Sequence, residues 1–190
     1  MDDPQTKLKP WTTLSSEIVF DTPWFKIEKQ NLETPTGATP TFYIHNTHDS
    51  VMCVCVTKDR RVLLEKQYRP AIQKVSVDYP AGRLEEDDKS IEEAMLRELK
   101  EETGYKTNSF KKIAIIDKDP GFSTTRMHIY LAQGAIPGKD NPEESESIVS
   151  KLMPAQEVLN MVYSGELSCA YCVSATLYAF KELGWLQSNL

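Results

Sequence analysis

Residues 82–105 read GRLEEDDKSIEEAMLRELKEETGY, and the RELKEETG part of the stretch puts an arginine and three glutamates into two turns of one predicted helix. At about 100° per residue, Glu98, Glu101 and Glu102 fall within an arc of roughly 100°, while Ile91, Met95 and Leu99 recur every fourth residue on a neighbouring face. One face is built for packing and the other for a cation. Like charges four residues apart destabilise an isolated helix by about a few tenths of a kcal/mol per pair. A hard divalent ion removes that repulsion, and oxygen ligands suit Mg²⁺ or Mn²⁺. Ser90 and Glu93 form an S-x-x-E capping box and Gly104 stands where a C-cap glycine belongs, so the spacing predicts a helix over 91–103. Glu92 and Glu93 read as its solvated charge.

Upstream, residues 75–79 read as a short strand ending at Pro80-Ala81-Gly82, and 51–57 with 62–67 as a hairpin around the polar loop 58–61. Residues 16–33 read as one or two strands broken at Thr22-Pro23, followed by the turn Thr34-Pro35-Thr36-Gly37 and a return strand over 41–45. These make an antiparallel N-terminal arm. Downstream, strands are expected over 110–116 and 127–132 around the loop 117–126, a mobile loop over 134–147, and helices over 154–163 and 170–183. Strands interleaved with a central helix, with helices at the end, predict an α/β fold in which a mixed sheet is sandwiched between helices. The expected organisation is a flexible N-terminus over 1–13, the β arm over 14–48 and the main domain over 49–190.

A chain of 190 residues suffices for one domain with a proper core and an appended arm. Its net charge of −6, with no basic run, argues against a nucleic-acid partner. The opening MDDPQTKLKPWTT lacks the apolar stretch of a signal peptide, and the longest apolar run, 51–56, is far too short to cross a membrane. A soluble cytoplasmic protein is expected. The four cysteines then read as reduced thiols. Cys53 and Cys55 alternate along a strand and face one side, while Cys169 and Cys172 make a lone C-x-x-C where the last helix begins. Sequence neighbours offer that pair too few partners for a zinc or redox role, so packing is expected. His45, His48 and His128 lack metal-ligand spacing and read as structural or surface residues.

The stretch 82–105 resembles the Nudix box: Gly, five residues, Glu, seven residues, Arg-Glu-aliphatic, any residue, Glu-Glu, any residue, Gly and an apolar residue. Arg97, Glu98, Leu99, Glu101, Glu102, Gly104 and Tyr105 fit its second half position by position. The first half departs. Counting forward from Gly82 places Asp88 at the first acidic position, and eight residues rather than seven then precede Arg97; counting backward places Lys89 there. This reads as a one-residue insertion in the loop before the helix, which leaves the metal-facing helix intact.

Flanking motifs resemble the ADP-ribose and ADP-sugar pyrophosphatase branch of the family: Lys66-Gln67-Tyr68-Arg69-Pro70, then Tyr79-Pro80-Ala81-Gly82, then Asp119-Pro120-Gly121-Phe122-Ser123. The resemblance implies a homodimer, formed through the N-terminal arms, that hydrolyses the diphosphate of ADP-ribose to AMP and ribose 5-phosphate with Mg²⁺. It implies metal ligation by Glu98, Glu101, Glu102 and the Ala81 carbonyl, with Arg97 orienting the glutamates. Substrate contacts would come from Arg69, from Gly121, and from Trp24 and Phe42 as aromatic rings about the adenine. A general base is implied on the loop beyond the box; counting back from Met153-Pro154 selects Glu146, with Glu144 as the alternative. The open alternatives are a Nudix hydrolase of another nucleotide sugar or a dinucleotide, and a non-catalytic ADP-ribose sensor, against which the intact glutamates weigh.

Overall fold

The structure, a computed structural model, describes residues 9–138 and 147–186. These fall into two compact units: residues 9–48 with Asp117–Thr125, and residues 49–116 with 126–186.

The larger unit is organised around β4 (Ser50–Val56), every residue of which is buried. Successive side chains of a strand point to opposite faces of the sheet, and here both faces are covered. Met52, Val54 and Val56 join one core cluster together with Val158 and Met161 of α2 (Ala155–Ser164) and Cys172, Ala175, Ala179 and Phe180 of α3 (Ala170–Glu182). Val51, Cys53 and Cys55 join a second with Ala94, Met95 and Leu99 of α1 (Ile91–Thr103). The sheet is therefore sandwiched between helices, with Cys53 and Cys55 on the α1 side as their alternation requires. Burial pushes the Cys55 thiol up to about 12 and raises that of Cys53 as well, so both are protonated and inert.

The strand order is β12 (Val149–Pro154), β5 (Arg61–Arg69), β4, β10 (Arg126–Gln133), β9 (Phe110–Asp117), with β4 and β10 parallel. β4 and β5 are register partners only at Val56↔Val62, beside their turn. Beyond it β5 pairs with β6 (Lys74–Asp78) while β4 pairs with β7 (Ala81–Arg83). The chain running from Asp78 to Arg83 thus occupies the divergence between the two strands, and the Cys53 N–H donates to Pro80 O at 2.9 Å. This wedge carries Ala81 and Gly82 to α1.

β11 (Ile136–Pro137) lies inside the expected loop 134–147, and its partner β8 (Tyr105–Lys106) and β12 lie in stretches where the sequence pattern assigns no element. Their alternation is too short to stand out in sequence, and pairing with existing strands defines them. None of the helices among the described residues is long and apolar enough to cross a membrane.

The smaller unit is an antiparallel sheet of β1 (Thr12–Asp21), β2 (Lys26–Glu33) and β3 (Thr41–Asn46). β1 starts four residues before the expected strand, inside the segment read as flexible. The break at Thr22 is held by its hydroxyl, which accepts from the Phe25 N–H at 3.0 Å. Gly37, at φ 85°, takes the left-handed position that its turn demands. The loop 117–125 belongs to this unit: the His45 N–H donates to Phe122 O at 2.7 Å, and the Phe122 ring stacks on that of His45 at 5.7 Å.

Candidate active site

α1 begins and ends as its sequence dictates. The Ser90 hydroxyl accepts from the Glu93 N–H at 3.1 Å, and the Gly104 N–H donates to Lys100 O at 2.8 Å with Gly104 at φ 71°. The Glu93 carboxylate accepts from the Lys89 N–H at 3.0 Å, one residue further out than in the ordinary capping box. An N-cap of this kind is worth about 1 kcal/mol, and here it fixes where the charged face begins.

That face meets β7. The Ala81 N–H donates to Glu102 Oε2 at 2.8 Å. A Cβ built on Gly82 would lie 1.9 Å from Glu98 Oε1 and 2.0 Å from its Cδ. Glycine is required here for close approach, because the Glu98 carboxylate occupies the space a side chain would fill. Two of the three glutamates are thereby referenced to one stretch of backbone.

Arg97 supplies the rest of the order. Its Nη1 donates to Glu98 Oε1 at 2.9 Å and to Glu101 Oε2 at 3.0 Å, and its Nη2 donates to Arg83 O at 3.2 Å. On the other side, Nε and Nη2 donate to Asp88 Oδ1 and Oδ2 at 3.1 and 3.0 Å, a two-pronged pair with a carboxylate only 6% exposed. The hydrogen bonds from Arg97 hold the Asp88 carboxyl below the usual carboxylate range, and Asp88 in turn raises the Arg97 guanidinium. Asp88 fills the first acidic position despite the inserted residue. A turn absorbs the extra length, with the Asp88 N–H donating to Glu85 O at 3.2 Å and the Glu85 N–H to Asp88 Oδ2 at 2.8 Å.

The result is a row of hard oxygen donors, Glu98 at 14% and Glu101 at 41% side-chain exposure, on one helix face beside a glycine-cleared backbone. Such donors suit a small divalent cation.

Comparison with known proteins gives the family. The NUDIX domain model matches residues 46–168, and the model of the nucleoside diphosphate sugar hydrolase N-terminal domain matches residues 11–45. The chain belongs to the Nudix family. As a Nudix enzyme it is a hydrolase of phosphorus-containing anhydrides, and Nudix hydrolases generally use a divalent metal. It is 28% identical over 173 residues to an ADP-ribose pyrophosphatase of Bacillus subtilis, covering 90% of this chain and 91% of the relative. It is 29% identical over 183 residues to an ADP-sugar pyrophosphatase of Mus musculus, covering 87% and 84%. A crystal structure of an ADP compounds hydrolase superposes with a TM-score of 0.83 at 24% identity, covering 94% of this chain and 98% of that one, which shows the shared fold.

The remaining expected residues of this Nudix chain are distributed between the units. Arg69, at the end of β5 and 45% exposed, is tied to Asp78: its Nε and Nη2 donate to Asp78 Oδ2 at 2.9 and 2.8 Å. In the smaller unit, Trp24 is 61% exposed and borders a cleft of about 330 Å³ with Thr22, Lys26, Asn46 and Thr124. Phe42 is half-buried and meets Trp11 edge to face at 5.7 Å. A Cβ on Gly121 would meet only Asp119 Oδ1, at 3.6 Å, an ordinary contact. Glu144 and Glu146 lie outside the described residues.

Two buried carboxylates went unread in the sequence. Glu65 of β5, 3% exposed, stands directly opposite Asp78 of β6, 6% exposed. The signal available was a single acid directly after apolar strand residues, VLLE at 62–65 and VSVD at 75–78, where burying a charge requires partners.

Proposed function

We propose that the protein is a Mg²⁺-dependent pyrophosphatase that adds water across the diphosphate of ADP-ribose to give AMP and ribose 5-phosphate. The observation that carries this reading is the convergence of Glu98, Glu101 and Glu102 beside Ala81 and Gly82, with Arg97 as their common brace. Glu98, Glu101, Glu102 and the Ala81 carbonyl would hold the ion. When bound, it neutralises the diphosphate oxygens that otherwise repel the nucleophile and acidifies the attacking water.

The chain's own residues do the positioning. Arg97 fixes the glutamate oxygens, and Gly82 lets the Glu98 carboxylate approach the backbone. Arg69 offers a planar fork of donors suited to phosphate oxygens, and its Asp78 tether sets its direction. Trp24 and Phe42 select adenine by stacking, a contact worth about 1–3 kcal/mol per base. Gly121 lets the loop backbone approach the substrate. Glu146, or Glu144, takes the proton from the water.

The exposed apolar side chains of the arm, Leu14, Ile18, Val19 and Phe20 among them, support pairing of two copies through that sheet. The relatives named for ADP-sugars and ADP compounds support a second reading, hydrolysis of another adenine nucleotide sugar.

A panel with Mg²⁺ separates these readings: release of AMP from ADP-ribose against ADP-glucose, GDP-mannose, NADH and diadenosine polyphosphates. The highest kcat/KM is expected for ADP-ribose. A preference for GDP-mannose or a diadenosine polyphosphate overturns the assignment, and binding of ADP-ribose without turnover identifies a sensor.

A further inference from the structure

Away from the glutamate face, the second buried acid meets the C-x-x-C pair. Cys169 is the N-cap of α3 and Cys172 lies one turn further on. Both sulfurs and a carboxylate oxygen of Asp78 lie within 4.8 Å of one another, and the Cys172 thiol donates to Asp78 Oδ1 at 3.7 Å. Cys172 is fully buried, whereas Cys169 is partly exposed and borders a cleft of about 490 Å³ with Ile72, Lys74, Ser76 and Ser168.

We propose that Asp78, Cys169 and Cys172 form a binding site for a zinc-type divalent metal, reached through this cleft and separate from the Mg²⁺ face. The donor set and spacing both fit. Two cysteines separated by two residues are a standard zinc pair, carboxylate oxygen is an accepted third ligand, and Zn–S bonds of about 2.3 Å place tetrahedral sulfurs about 3.8 Å apart. The site therefore needs only slight contraction. Three anionic ligands and one dication leave a single negative charge, and the Arg69 guanidinium on Asp78 Oδ2 offsets it. Thiolate ligands also discriminate against Mg²⁺, so the two metals do not compete. Occupancy would staple α3 to β6.

The test is titration of the reduced, metal-free full chain with Co²⁺. With excess Mg²⁺ present to fill the glutamate face, the expected result is one Co²⁺ per chain with a thiolate-to-cobalt charge-transfer band, displaced by Zn²⁺. Cys169→Ser, at a partly exposed position, should abolish the band while leaving the metal-free circular dichroism unchanged. Cys172→Ser should do the same, and Arg69→Gln should weaken binding about ten- to a hundredfold, as loss of an outer-shell partner does. Absence of the band at stoichiometric Co²⁺, or a band that survives Cys169→Ser, overturns the proposal. So does loss of two titratable thiols under air in a protein that binds no Co²⁺ when reduced, which identifies a redox pair instead.

Discussion

On α1, charged side chains find their partners within two neighbouring elements: Arg97 braces Glu98, Glu101 and Asp88, and β7 receives Glu102 and Glu98. On the N-terminal sheet, all ten residues of β1 are exposed, and Leu14, Ile18 and Phe20 are each about half exposed. The first region is complete by itself. The second is ordered by backbone pairing, and its apolar side chains form the surface proposed to meet a second copy. The proposed metal face needs preorganisation, which local partners supply, whereas the proposed adenine contacts, made by exposed rings, would be completed by a second copy.

The largest effect is expected where the first region depends on one residue. Arg97→Gln leaves the half-buried Asp88 without its countercharge, and loss of hydrogen bonds to a charged group costs about 1–3 kcal/mol; the melting temperature and turnover should both fall. The double variant Arg97→Gln/Asp88→Asn should recover part of the stability and none of the turnover. Equal stability of the single and double variants would mean that Asp88 is not what Arg97 neutralises.

Gly82→Ala should separate chemistry from folding. The atoms in the way are the end of a flexible side chain, so the fold absorbs the methyl by swinging Glu98 aside. A fall in kcat of at least about tenfold is expected, on the lower side of losing a preorganised electrostatic contact, with a nearly unchanged melting temperature. Unchanged kcat would show that Glu98 works from another position.

On the arm, Trp24→Ala should raise KM for ADP-ribose by roughly five- to a hundredfold, the range set by about 1–3 kcal/mol of stacking. kcat should stay within about twofold, because stacking is similar in ground and transition states. Phe42→Ala should raise KM too, with a small loss of stability from its edge contact with Trp11. Unchanged KM in both would make the arm packing alone.

The smallest expected effect is on acid stability. Since the Asp88 carboxyl is held below its ordinary value of 3.8 in the folded state, its contribution is complete above that value and is lost as pH falls through the folded one. Asp88→Asn should flatten the decline in stability below about pH 4 relative to the wild type. An unchanged slope would place the acid sensitivity elsewhere.

The same contrast explains what could be read from sequence. The bounds of α1, the facing of Cys53 and Cys55 and the break at Thr22 depend on residues a few positions apart, and their spacing shows them. Asp88 was half legible, because counting along the chain cannot tell that a turn absorbs the insertion and returns the acid to Arg97. The tether of Arg69 by Asp78 and the approach of Asp78 to Cys172 join β5, β6 and α3. Such pairings are fixed by the divergence of β4 and β5, which no local pattern announces.

In the proposed reaction the α1 carboxylates drive hydrolysis of the diphosphate. Steady-state turnover of ADP-ribose with saturating Mg²⁺ by Glu98→Gln and Glu102→Gln tests it most directly. Each variant should lose at least about a hundredfold in kcat while keeping wild-type circular dichroism. Near-native turnover at either position would contradict the claim.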